Sequence, residues 1–220
     1  PAPLCEGEDP PRQAFIFVIA LAAPGPGNTA PEVTPDLTVP LRRRSDDATA
    51  VADAAAQALG GIAHALDELQ SDLVLLLGDR YEILAAAQAA LLLRIPIAHI
   101  AGGDISEGAY DDAMRHAISK LAHLHFVTNA PARRRLLQMG EPAARVVLSG
   151  SPGIDTLLTS PRLSRSELAA RLGLTLRRHN LAITFHPATL DPTPAAQQVE
   201  PLLRALDGDP VRPLEHVQDG

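Results

Sequence analysis

The sequence predicts an α/β fold in which a parallel sheet is flanked by helices, and three observations carry that prediction. Short continuous apolar runs, Leu73–Leu77, Ile95–Ile100 and Leu124–Val127, recur along one stretch, the first two giving way to Gly78-Asp79-Arg80 and Gly102-Gly103-Asp104. Helix-like segments lie between them: the alanine-rich Tyr81–Arg94, then a segment opening at Asp111-Asp112. Unbroken apolar runs of this length are the pattern of parallel strands buried on both faces. Finally, hydrophobic residues make up 46% of the chain but aromatics only 3%, so the core must be built from Ala, Leu, Val and Ile, as in helix-on-sheet layers. In open parallel sheets ligands bind beyond the carboxyl ends of the strands, and Asp79, Gly102, Gly103, Asp104 and His186 all fall at predicted strand ends.

Taken in order, residues 1–44 form a leader that is irregular apart from one candidate strand, Phe15–Ala20. Residues 1–40 hold nine of the twenty prolines, and Pro24-Gly25-Pro26-Gly27 is a strong breaker. Residues 45–150 read as the first domain. Ala48–Leu69 has helical spacing, with Val51, Ala55, Leu59, Ile62, Ala65 and Leu66 on one side and a point of kinking at Gly60-Gly61. Strand, helix, strand, helix, strand follow from Leu73 to Val127. Ala130–Met139 is a helix with Pro131 in its first turn and Gly140 at its end, and Arg145–Leu148 is a strand. Ser149-Gly150-Ser151-Pro152-Gly153 is the candidate linker. Residues 151–220 form a partial second domain: a serine-capped helix Ser164–Leu172, a strand Asn180–Phe185 ending at His186-Pro187, and a helix Pro194–Leu206.

The balance of the chain excludes several classes. Net charge is −7, and the only basic clusters, Arg42-Arg43-Arg44 and Arg133-Arg134-Arg135, are short and differently placed, so no nucleic-acid surface is expected. Spanning a bilayer takes about 20 consecutive apolar residues, and no run reaches that length. Phe15–Ala23 lacks a preceding basic segment and reads as a strand rather than a signal peptide. The single Cys5 allows no disulfide within the chain, which points to a reducing cytoplasm.

Each candidate site residue has two readings. Asp79, directly after a strand, could act as a base or bind a sugar hydroxyl, or could cap the next helix. Gly102-Gly103 would let the backbone approach a ligand, or simply form the strand-to-helix turn. Asp111 with Arg115, and Asp112 with His116, are spaced i, i+4 on one helix face, either for chemistry or for helix support. His186, held extended by Pro187, could transfer a proton or contact phosphate, or could be a surface histidine. His99, His123 and His125 read as core or surface histidines, and no spacing fits a zinc site. Walker-type and G-x-G-x-x-G loops are absent.

Several segments together resemble one family: Gly78-Asp79-Arg80-Tyr81-Glu82, Ile95-Pro96-Ile97-Ala98-His99-Ile100, Gly102-Gly103-Asp104, the run from Asp111 to His123, and Thr184-Phe185-His186-Pro187. Their order and spacing resemble the hydrolysing UDP-N-acetylglucosamine 2-epimerases of sialic-acid-like sugar synthesis, over residues 45 to 206. The resemblance implies a Rossmann-like sheet in a glycosyltransferase-B-like, two-lobe architecture whose second lobe is incomplete here. It implies a UDP-sugar substrate, a homodimer, and neither metal nor nicotinamide. Carried onto this chain, it implies carboxylate chemistry from Asp79, Asp111 and Asp112. Arg115 would orient a carboxylate or the substrate, and His186 would serve the diphosphate or proton transfer. Arg80, Gly102, Gly103, Asp104 and His116 would bind substrate. Ala101 stands where many relatives carry Glu or His, Asp104 stands where Glu is usual, and the Gly-Thr-Arg loop that touches the nucleotide has no match in residues 1–40. A UDP-binding module without turnover, and a glycosyltransferase of similar architecture, are the other functions compatible with these residues.

Overall fold

The computed structural model describes residues 19–22, 34–42, 45, 47–187 and 190–207. Its centre is a four-stranded parallel sheet in the order β3-β4-β5-β6, formed by Val74–Leu77, Ile97–Ile100, Leu124–Val127 and Val146–Leu148. The connecting helices are α2 (Tyr81–Leu92), α3 (Asp111–Leu121) and α4 (Ala130–Gln138), with a 3-10 turn at Ala143–Arg145 before β6. The α/β prediction is borne out, and so are these strands and helices, within two residues at each end.

The long helix α1, Ala48–Glu68, starts at Asp47, whose carboxylate accepts from the Ala50 amide at 2.9 Å. The helix continues without a break through Gly60-Gly61. Its buried stripe is Ala50, Ala54, Ala58, Ile62, Ala65 and Leu66, so Val51, Ala55 and Leu59 flank the buried face rather than define it. A Cβ on Gly61 would lie 2.4 Å from Val39 Cγ1; the glycine is there so that α1 can cross a strand closely. That strand, β2 (Leu37–Pro40), pairs in parallel with β1 (Ile19–Ala22). β1 overlaps the candidate strand Phe15–Ala20, of which Phe15–Val18 lie outside the described residues. β2 corrects the reading of the remaining leader as irregular: Val39 and Leu41 are buried in the core beside α1, and tertiary packing outweighs the proline content around them.

The apolar run of β3 is covered on one face only. Val74 and Leu76 are buried, whereas Leu75 and Leu77 are 61% and 57% exposed. The strand order is sequential and such crossovers are right-handed, which places the helices that follow β3, β4 and β5 on the same side. For β3 the expectation of burial on both faces is corrected on that ground; β4, with Ile97, Ala98 and His99 all buried, meets it. Ile97, Ile118 and Val127, all fully buried, mark the covered side.

Beyond β6 lie α5 (Pro152–Thr159), α6 (Arg165–Leu172) and α7 (Ala195–Asp207). α5 begins inside the predicted linker, with Pro152 at its first turn, and was not anticipated. Ser164 and Glu167 form a reciprocal capping box at α6, and Gly173 ends that helix at φ +65°. The predicted strand Asn180–Phe185 does not form. A strand needs a ladder partner, and residues 151–207 supply no other strand among those described.

Candidate active site

The carboxyl ends of β3, β4 and β5 gather the site. Asp79 follows β3, and its carboxylate takes an ion pair and hydrogen bond from Nη2 of Arg115 on α3. The same Nη2 donates to Ser106 Oγ at 3.0 Å. Arg115 is 9% exposed, and its Nε and Nη1 are buried without a partner among the described residues. A buried guanidinium with two idle donors is costly; both of its two-donor edges include the engaged Nη2, so Nε–H and Nη1–H are separate single donors. This side chain lines a cavity of about 530 Å³ together with Asp104, Ile105, Ser106, Asn129, Pro131 and Arg135.

Asp104, after the paired glycines, accepts hydrogen bonds from Thr128 Oγ1 at 2.8 and 2.9 Å and from Asn129 Nδ2 at 2.8 Å. Asn129 turns its Oδ1 to the Ala132 amide as the N-cap of α4. One residue therefore fastens both the helix and the carboxylate. Asp112 accepts from the Ser106 amide at 2.9 Å and lies 3.8 Å from His116 Nε2. It shapes the loop that carries Ser106. Asp111 sits in the first turn of α3, partly buried. Arg80 is paired with Glu82 at 3.0 Å. Burial opposes the charge on Arg80, but Glu82 and, more weakly, Asp111 outweigh it and raise its pKa.

The glycines serve packing. A Cβ on Gly102 would lie 2.8 Å from Ser119 Oγ and 2.9 Å from His99 Nδ1. Gly103 has φ +80°, and a Cβ there would lie 2.6 Å from the Ala132 carbonyl oxygen. Its own carbonyl accepts from Arg135. Before them, Ala101 adopts φ +63°, a left-handed conformation uncommon for a residue with a side chain. His99 and His125 are fully buried, and burial lowers the pKa of both. His123 is exposed and accepts from the Ile97 amide at 3.2 Å. His186 is exposed on an extended segment, and no hydrogen bond or ion pair among the described residues joins it to Asp79, Asp111, Asp112 or Arg115.

A family described as UDP-N-acetylglucosamine 2-epimerase matches residues 32–215. The chain belongs to the UDP-N-acetylglucosamine 2-epimerase family. It is 36% identical over 169 residues to GDP/UDP-N,N'-diacetylbacillosamine 2-epimerase (hydrolyzing) of Campylobacter jejuni, covering 77% of this chain and 44% of that protein. It is 33% identical over 184 residues to UDP-N,N'-diacetylbacillosamine 2-epimerase (hydrolyzing) of Legionella pneumophila, covering 81% and 48%. The chain therefore spans somewhat under half the length of these relatives. Among solved structures, UDP-GlcNAc 2-epimerase from Neisseria meningitidis bound to UDP-GlcNAc superposes with a TM-score of 0.54 at 24% identity, over 58% of this chain and 34% of that one. That likeness establishes the Rossmann-like architecture of the epimerase family for the sheet described here.

Within this epimerase-family chain, sequence reasoning found Asp79, Asp104 and Arg115, and the structure brings them together. It missed Ser106, Thr128, Asn129 and Arg135. Asn129 carried a readable signal, since an Asn two residues before Pro131 is an N-cap pattern at a strand end. Arg135 carried none, because its task depends on where the Gly103 carbonyl lies.

Proposed function

We propose that this chain carries part of a hydrolysing UDP-sugar 2-epimerase site, with residues 45–150 as the nucleotide-sugar-facing lobe and residues 151–220 as part of a second lobe. The observation that carries the reading is the Asp79–Arg115 pair, with the unpartnered Nε and Nη1 of Arg115 beside Asp104. A base removes the C2 proton, the C1–oxygen bond breaks, and UDP departs, leaving a glycal. Water then adds its hydroxyl to C1 and a proton to C2 from the opposite face, which gives the 2-epimeric free sugar. Asp79, Asp104 and Asp111 supply the carboxylates for these proton transfers. Arg115, which lines the cavity, sets its fixed positive charge beside the anionic part of the substrate. Fixed positive charge where negative charge develops is the largest kind of help such a step receives. The chemistry is written without metal or nicotinamide. The relatives named for diacetylbacillosamine favour a UDP-2,4-diacetamido sugar beside UDP-N-acetylglucosamine as substrate. A cytoplasmic place in sialic-acid-like sugar synthesis and a homodimer belong to the same reading.

UDP release from both nucleotide sugars tests it. Release that falls about 100-fold in Arg115→Ala, and stays low in Arg115→Lys because a lysine lacks the planar fork, is the expected result. Release from the unaltered chain no greater than from Arg115→Ala would defeat the catalytic claim. The exposure of His186, which has no hydrogen bond or ion pair to the other candidates among the described residues, favours a second reading, a UDP-sugar-binding unit without turnover. Calorimetric UDP binding in the absence of release is its mark.

A further inference from the structure

We propose that His99 is a positioning residue that clamps the Asp79 loop to the helical turn carrying Arg115. The inference rests on reading that pair as the reacting centre. His99 sits in the middle of the covered sheet face, level with Leu76 on β3 and His125 on β5, and is fully buried. It does not line the cavity. Its Nε2 is 2.9 Å from the Gly78 carbonyl oxygen. A carbonyl only accepts, so Nε2 carries the proton. That carbonyl belongs to the peptide that leads into Asp79, and the Gly78 amide, at φ +92°, reaches back to the Ile100 carbonyl at 3.4 Å. β4 thus grips the turn before Asp79 from both sides of Gly78.

The other edge of the ring reaches α3. Nδ1, left without a proton, accepts the single hydroxyl hydrogen of Ser119 at 3.2 Å, and the carbonyl oxygen of Arg115, one turn earlier and 2.9 Å from the same Oγ, is the competing acceptor for it. A single imidazole therefore spans the Asp79 loop and α3 at Ser119, one turn beyond Arg115. Gly102 leaves the space for it: any side chain there would meet both Ser119 Oγ and His99 Nδ1 inside 3.0 Å. Core filling alone does not call for an imidazole between Leu76 and His125, since a leucine packs there without a polar atom to satisfy.

That contrast supplies the test. Gln can return a donor to the Gly78 carbonyl from about the place of Nε2, whereas Leu fills the volume and donates nothing. The clamp predicts that His99→Leu folds but exchanges the Gly78 and Leu84 amides about tenfold faster than the parent, a local opening without global unfolding. Its kcat for UDP release should fall about 100-fold with KM changed only a few-fold, the scale of a 1 Å misplacement. His99→Gln should stay near the parent on both readouts. If His99 only fills the core, Leu matches the parent and Gln, with a half-satisfied amide, is the worse variant; that order overturns the proposal. If the parent releases no UDP, the catalytic reading fails, and amide exchange alone decides the clamp. If His99→Leu does not fold, Ser119→Ala decides it. Faster exchange of the Arg115 guanidinium protons, with the Gly78 amide still protected, supports two separate arms, and unchanged Arg115 exchange overturns them.

Discussion

Ala101 shows how a single residue carries strain at the rim of the site. Its amide is bonded to the Phe126 carbonyl at 2.9 Å, so the sheet holds it in place while φ stands at +63°. A left-handed conformation costs a non-glycine residue about 1–2 kcal/mol. Ala101→Gly should therefore raise stability by about 1 kcal/mol, read from the urea midpoint at constant m. A lower midpoint would show that the alanine methyl contributes packing that outweighs the strain. Arg115 is the opposite kind of residue: its position is supported, and what is left open is chemistry, two buried donors with no partner among the described residues.

Two elements set the site, α4 and the β4–β5 ladder. Asn129 caps α4 and also holds Asp104, so Asn129→Ala should cost about 1 kcal/mol as a lost cap. It should lower kcat for UDP release by more than that loss explains, because Asp104 then keeps only Thr128. A kcat equal to the parent's would separate Asp104 from the reaction. On the ladder, His99 and His125 sit side by side, and burial first of all lowers both below 6.5. A native pKa below the unfolded one means that the unfolded chain takes the proton first as pH falls. Their stabilising effect is complete above pH 6.5 and is lost as pH drops from 6.5 toward the native values, by at most about 1.4 kcal/mol per pH unit for each histidine. Burial works against the Glu141 carboxylate, but the Lys120 hydrogen bond at 2.5 Å and the His125 contact at 3.1 Å outweigh it and lower its pKa. That contribution is present above pH 4.5 and fades below it. Urea midpoints should fall from pH 7 to pH 5, and less steeply in His125→Gln. A flat profile would mean that neither ring resists protonation.

On the scale of the molecule, one apolar sheet face is only partly covered. Leu75 and Leu77 from β3 share it with Leu124, 40% exposed, and Val147, 46% exposed, and Ile154, Leu157 and Leu158 of α5 are also exposed. Large contiguous apolar patches are uncommon on soluble monomers. The purified chain should bind 1-anilinonaphthalene-8-sulfonate in its native state and associate with rising concentration. Leu75→Gln with Leu77→Gln should weaken both effects, with little change in urea midpoint. Dye binding and association equal to the parent's would place the sticky surface elsewhere. No helix among the described residues is long and apolar enough to cross a membrane.

The alternation of apolar runs with helical segments was enough to place β3, α2, β4, α3, β5 and α4, because each element's pattern is local and each ends on a residue with a local reason: Gly140 after α4, Asp47 before α1. Strand-end position also singled out Asp79 and Asp104 before any coordinates. What local pattern could not supply is anything that depends on a partner distant in the chain. β2 exists because Val39 meets Gly61. Asn180–Phe185 stays out of a sheet because no second strand lies beside it among the described residues. Gly102 and Gly103 make room for His99, Ser119 and Ala132, a packing role that no local pattern shows. The sequence by itself determined the order of elements and the chemical types at the strand ends, since backbone periodicity and turn chemistry act over a few residues. Only the tertiary structure decided which of those groups meet: Arg115 reaches Asp79 across 36 positions, because side-chain contacts are set by how the layers pack.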